Sequence, residues 1–145
     1  MPVLNLQIAP LQDPALPARL AAELTTLTEQ VLRKRADLTA VIVEDLPAAQ
    51  WFIGGRAVTQ PTARLEIAVT AGTNTADEKA RFVAGAWALL QRQLAPQGRL
   101  AEASYVIVRE LPAGDWGYGG RSQAARQLER RLASPPCPPP CNAPG

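Results

Sequence analysis

The chain contains no histidine. Ser-His-Asp triads, Cys-His pairs, histidine-ligated metals and histidine pH switches are therefore outside its chemistry. Acid–base work must fall to carboxylates, Lys, Tyr, Cys or the amino terminus of the chain itself. The two cysteines, Cys137 and Cys141, lie in a proline-rich tail, and two thiolates alone make a poor metal site. No metal and no cofactor is expected. Two Gly-Gly pairs, at 54–55 and 119–120, are each followed by Arg, at Arg56 and Arg121. A phosphate-cradling loop is one reading of such pairs, but the Lys and the following helix of that motif are missing. The better reading is a tight hairpin.

Both Gly-Gly pairs belong to an internal repeat. Residues 39–57, TAVIVEDLPAAQWFIGGRA, and 104–122, SYVIVRELPAGDWGYGGRS, agree at ten of 19 positions with a constant offset of 65. Each copy opens with alternating apolar residues, Leu4, Leu6 and Ile8 in the first, Leu65, Ile67 and Val69 in the second. That pattern predicts a strand with one buried face. A helix follows in each. Asp13 before Pro14 reads as a cap and first turn, and Leu16, Leu20, Leu24, Leu27 and Val31 fall on one helical face. In the second copy Thr75 and Glu78 read as a capping box, with Phe82, Ala86, Leu89 and Leu90 as the apolar face. Each copy then enters a Val-Ile-Val strand, at 41–43 and 106–108, and a Leu-Pro-Ala turn.

The expected architecture is an α/β (α+β) fold. Two β-α-β repeats, 2–58 and 63–122, build one four-stranded sheet with two helices on one face, each crossover joining parallel strands. A short basic helix over 121–133 completes a single domain, 2–134. The tail 135–145 holds six prolines in 11 residues and is expected to be disordered. The bare face of such a sheet needs cover, and pairing between chains supplies it, so an oligomer is expected.

Composition narrows the partners. Of 145 residues, 15 are Lys or Arg and 13 are Asp or Glu, a net charge of +2. That balance argues against a nucleic-acid partner. No apolar run approaches the ~20 residues of a membrane span. The opening Met1-Pro2-Val3-Leu4 lacks the basic stretch of a signal peptide. With both cysteines confined to the tail, an intracellular, cytoplasmic setting is expected.

A proline directly after Met1, a β-α-β unit, and an aromatic residue followed by Ile-Gly-Gly run without a gap from Pro2 to Gly55 and, in variant form, again to Gly120. On these residues the chain resembles the tautomerase superfamily, in its fused, two-copy, 4-oxalocrotonate tautomerase-like form. The resemblance implies a pseudo-twofold pair of β-α-β units and a homotrimer. It also implies a small-molecule substrate and a catalytic Pro2, exposed once Met1 is removed. In mid-chain a proline nitrogen is a tertiary amide without useful basicity. At the terminus it is a secondary amine, and an apolar pocket lowers its pKa by penalising the charged form. A neutral amine can then take a proton from carbon and return it elsewhere. In the second copy the matching residue is Ala63, whose nitrogen is an amide, so one active site per chain is implied.

The resemblance makes Trp51 and Trp116 the aromatic pocket walls. It makes Trp116, together with Tyr105, Ile107 and Arg109 on one side of their strand, candidate residues lent by a neighbouring chain. The positions at which the family carries carboxylate-binding arginines are here Gln12, Ala40, Thr73 and Tyr105. Arg109 and Arg64 are the candidate replacements, while Arg56 and Arg121 read as interface residues. Tyr118 stands where the fused cis-type dehalogenases carry a water-activating carboxylate. The implied activity is proton transfer on a small keto, enol or unsaturated acid substrate. The alternative is a catalytically degenerate trimer of the same fold with a structural or binding role.

Overall fold

The computed structural model describes residues 1–10 and 13–136. Gln12, Cys137 and Cys141 lie outside the described residues. By contact the chain divides into two units, Met1–Leu111 and Pro112–Gly145.

The first unit opens with β1 (Val3–Ala9), α1 (Leu16–Leu32) and β2 (Ala40–Asp45), then a small hairpin of β3 (Phe52–Ile53) and β4 (Arg56–Ala57). It continues with β5 (Thr62–Thr70), α2 (Ala76–Leu94) and β6 (Tyr105–Leu111). The sheet order is β2-β1-β5-β6. β1 pairs parallel with β2, β5 pairs parallel with β6, and β1 and β5 meet antiparallel at the centre. The two β-α-β copies are thus joined back to back, and the expected α/β tandem is the architecture of the molecule.

Alternation along the strands sorts the two faces of the sheet. Leu4, Leu6, Ile8, Leu65, Ile67 and Val69 are buried in one core with Leu20 and Leu24 of α1 and Phe82, Ala86 and Leu90 of α2. Both helices therefore cover the same face. Asn5, Ile42 and Tyr105, out of phase with those residues, are left exposed on the other.

Two local expectations need correction. α1 begins at Leu16 with Ala15 at its N-cap position, two residues later than the Asp13-Pro14 pair predicts. Pro17 has no N–H to give to the carbonyl of Asp13. Leu16 N–H takes that carbonyl instead at 3.0 Å, closing a tighter turn, while the Asp13 carboxylate accepts from Ala15 N–H at 2.9 Å. Further along α1 the fully buried stripe runs through Thr28 and Leu32, with Leu27 and Val31 only partly buried. Thr28 tolerates burial because its hydroxyl donates to the Leu24 carbonyl at 2.7 Å. The start of α2 follows the sequence: Thr75 accepts from Glu78 N–H at 3.1 Å and the Glu78 carboxylate accepts from Thr75 N–H at 3.0 Å.

The second unit holds a hairpin of β7 (Gly117–Tyr118) and β8 (Arg121–Ser122), then α3 (Gln123–Ala133). The basic helix thus starts two residues later than 121, because Arg121 and Ser122 belong to β8 and Ser122 caps the helix by accepting from Ala125 N–H at 3.1 Å. Both Gly-Gly pairs are hairpin turns, with φ of 60° and 76° at Gly54 and Gly55 and 59° and 74° at Gly119 and Gly120. Successive positive φ values are the signature of a type I′ turn, which glycine enters without strain. No helix among the described residues is long and apolar enough to cross a membrane.

Candidate functional site

Pro2 is buried at the head of β1, where its carbonyl accepts from Ala40 N–H at 3.3 Å. The adjacent Val3 pairs with Ala40 on one side and Ala68 on the other, and Ala68 in turn pairs with Arg109. By register Arg109 is thus the sequence-predicted cation nearest the Pro2 end of the sheet.

Trp51, Arg64, Tyr105 and Ile107 gather elsewhere. With Gln7 and Gln50 they line a cavity of about 700 Å³ on the bare face of the sheet, beside the β3–β4 hairpin. Gln7 lies five residues beyond Pro2, about 17 Å along an extended strand. Within one chain, therefore, the candidate residues fall at opposite ends of β1, Pro2 and Arg109 at one and Trp51, Arg64 and Tyr105 at the other. Trp116 belongs to the second unit, where with Tyr118, Arg121 and Ser122 it lines a shallower hollow of about 320 Å³. Its indole Nε1 is buried with no hydrogen-bond partner among the described residues. In the same unit the Arg126 guanidinium lies 3.8 Å over the Tyr118 ring and Arg121 pairs with Glu129.

Arg64 and Arg109 both turn to Glu66, which the sequence does not single out. Arg64 Nη2 lies 2.8 Å from Glu66 Oε2, and Arg109 Nε lies 3.3 Å from Glu66 Oε1. The carboxylate is largely buried between them. Arg64 and Glu66 share a face of β5 by their spacing of two, but only the pairing of β5 with β6, with Ile107 opposite Glu66 and Arg109 opposite Ala68, brings 109 diagonally within reach of 66.

Lys34 is a second residue that the sequence leaves unmarked. Its Nζ donates to Thr73 Oγ1 at 2.8 Å. A cation thus stands against Thr73, delivered by the residue pair that follows α1. Burial and the nearby Arg33 push its pKa down, with Glu78 opposing. Among the described residues no group of three or more Asp, Glu or Cys is placed to hold a metal.

No protein-family model matches the chain, and no curated protein matches it. Solved structures do. A fused 4-OT described as a symmetric trimer superposes with a TM-score of 0.74 at 23% identity, covering 86% of this chain and 98% of its own. Pt0534 inactivated by 2-oxo-3-pentynoate superposes at 0.73 and 14% identity over 86% and 98% of the two chains. A macrophage migration inhibitory factor-like protein from Entamoeba histolytica superposes at 0.65 and 17%, over 83% and 97%. The fold of this chain is that of the fused 4-OT structures, along almost their whole length.

Proposed function

We propose that the protein is a tautomerase-type enzyme that uses the amine of Pro2, freed by removal of Met1, to move a proton on a small keto, enol or unsaturated acid. The observation that carries this reading is the position of Pro2. It is buried at the head of a central strand, in a tandem β-α-β fold shared with fused 4-OT proteins. Burial favours the neutral amine, the form that accepts a proton from a carbon or from an enol hydroxyl. The ammonium so formed then returns the proton to a carbon of the same substrate, so the amine is regenerated. Two further candidates remain in this reading. Trp116 of a neighbouring chain has a buried indole N–H without a partner among the described residues, a donor fit for a substrate oxygen. Arg109 supplies positive charge on the strand row of Val3.

The active form is a homotrimer. Fused 4-OT structures are described as symmetric and asymmetric trimers, and the bare sheet face, with Ile42 55% exposed and Tyr105 61% exposed, calls for cover.

The test is covalent. An activated ynone such as 2-oxo-3-pentynoate adds a neutral amine across its triple bond, with the mass gain of the whole reagent. The wild-type protein should lack Met1, gain one equivalent at Pro2, and lose its ability to ketonise phenylenolpyruvate. Pro2→Ala keeps a terminal amine but makes it primary, and should retain only a small residue of the activity. A chain that retains Met1, or labels at another residue, would exclude the proline mechanism.

A further inference from the structure

We propose that the end of the sheet without a terminal amine is a second, non-catalytic site that binds a small organic monocarboxylate with a flat apolar body. Ala63 takes the place of Pro2 in the second copy, and it pairs with Ile8 at the far end of the antiparallel β1–β5 pair. Its nitrogen is an amide whose N–H donates to Ser104 Oγ at 3.0 Å, and the residue is fully buried. Proline-type proton transfer is closed to this end. A concave surface is nonetheless present on the other face of the strand, where Arg64, the residue after Ala63, lines the cavity of about 700 Å³. That volume lies within the range of small-molecule sites.

Arg64 is the one charged side chain among the residues that line it. Two guanidiniums, Arg64 and Arg109, share the single carboxylate of Glu66. The cluster therefore carries one unit of excess positive charge, and of its two cations only Arg64 borders the cavity. A guanidinium has five donors in a planar fork, suited to a carboxylate.

The rest of the wall is apolar. Phe52 lines the cavity while 59% exposed, beside Trp51, Tyr105 and Ile107. Large aromatic side chains left open around a concave surface mark a ligand or partner site, and here the cation among them selects an anionic ligand. An adjoining groove of about 740 Å³ carries both Arg56 and Glu102, whose opposed charges give it no such selectivity.

Phenylacetate and its neutral isostere phenylacetamide serve as probes in isothermal titration calorimetry at low salt. The wild type should bind phenylacetate once per chain and the amide at least about tenfold more weakly, the loss expected for one charge-assisted contact. Arg64→Gln should bring the acid down to the level of the amide. Protein already labelled at Pro2 by 2-oxo-3-pentynoate should bind phenylacetate like the unlabelled protein, which separates this site from the catalytic reading above. Equal affinity of acid and amide in the wild type, an affinity unchanged by Arg64→Gln, or loss of binding after labelling at Pro2 would each overturn the proposal. The wild-type comparison of acid with amide decides the matter if Arg64→Gln does not fold.

Discussion

Glu78 ties the ends of both helices together. Its carboxylate accepts from Asn74 Nδ2 at 2.9 Å and from Thr75 N–H at 3.0 Å, and it pairs with Arg33 at 2.7 Å. Asn74 also donates to the Leu32 carbonyl at 3.0 Å, closing the C-terminal end of α1. The Asn74 hydrogen bond foremost, then the Thr75 N–H and Arg33, hold the Glu78 carboxyl below the usual carboxylate range, with burial opposing. A carboxyl whose folded pKa is depressed contributes stability that is complete above its unfolded value, about 4.3. That contribution is lost as the pH falls through the folded value. Asp13 and Asp37, lowered by hydrogen bonds to Ala15 and Arg35 respectively, act in the same direction. Glu78→Gln keeps an acceptor for the capping box but removes the charge. Urea midpoints taken from pH 6 down to pH 3 should therefore fall less steeply in Glu78→Gln than in the wild type. Parallel profiles would mean that the charge of Glu78 does not stabilise the fold.

At the scale of elements, the two hairpins carry the same Gly-Gly turn but tolerate different residues ahead of it. Position 52 in the first is Phe, 59% exposed. The matching position in the second is Gly117, where a Cβ would run into the Arg121 carbonyl and come within 2.7 Å of Ser122 Cα. Backbone cannot give way there as a flexible side chain would, so Gly117→Ala should open the β7–β8 hairpin. Gly55, by contrast, has open space around it and a φ of +76°. Gly55→Ala should cost only the strain of the left-handed region, about 1–2 kcal/mol. Hydrogen exchange separates the two cases. Gly117→Ala should lose amide protection over 117–126 while β1, β5 and β6 keep theirs, whereas Gly55→Ala should retain both hairpins with a lower urea midpoint. Full protection of 117–126 in Gly117→Ala would refute the close approach of Arg121.

For the molecule as a whole, the helices cover only one face of the sheet. The other presents Ile42, Tyr105 and half-buried Ile107 among polar and charged neighbours. Sedimentation velocity should give a trimer at micromolar concentration. Ile42→Lys places a charge on the exposed face of β2, away from the core, so it should leave the circular dichroism spectrum intact while shifting the protein to smaller species. A wild-type monomer would contradict the assembly, and a trimeric Ile42→Lys would move the interface off this face.

Whatever depends on near neighbours in the chain was legible in the residues alone. Alternation of Leu4, Leu6 and Ile8, the Thr75–Glu78 box and the Gly-Gly turns each act over a few positions, and the repeat shows that the same unit is built twice. The start of α1 was missed because the weak rule, Asp13 before Pro14, competes with the absent N–H of Pro17 three residues on. The buried stripe through Thr28 and Leu32 depends on which side of α1 meets the sheet, a choice that packing makes. Glu66 and Lys34 stand out only in the fold, because Arg109 and Thr73, the partners that complete their contacts, lie some 40 positions away in sequence. The division of the candidate residues between two ends of the sheet is likewise a tertiary result. It follows from the antiparallel meeting of β1 with β5, which sets Pro2 and its counterpart Ala63 as far apart as one strand length allows.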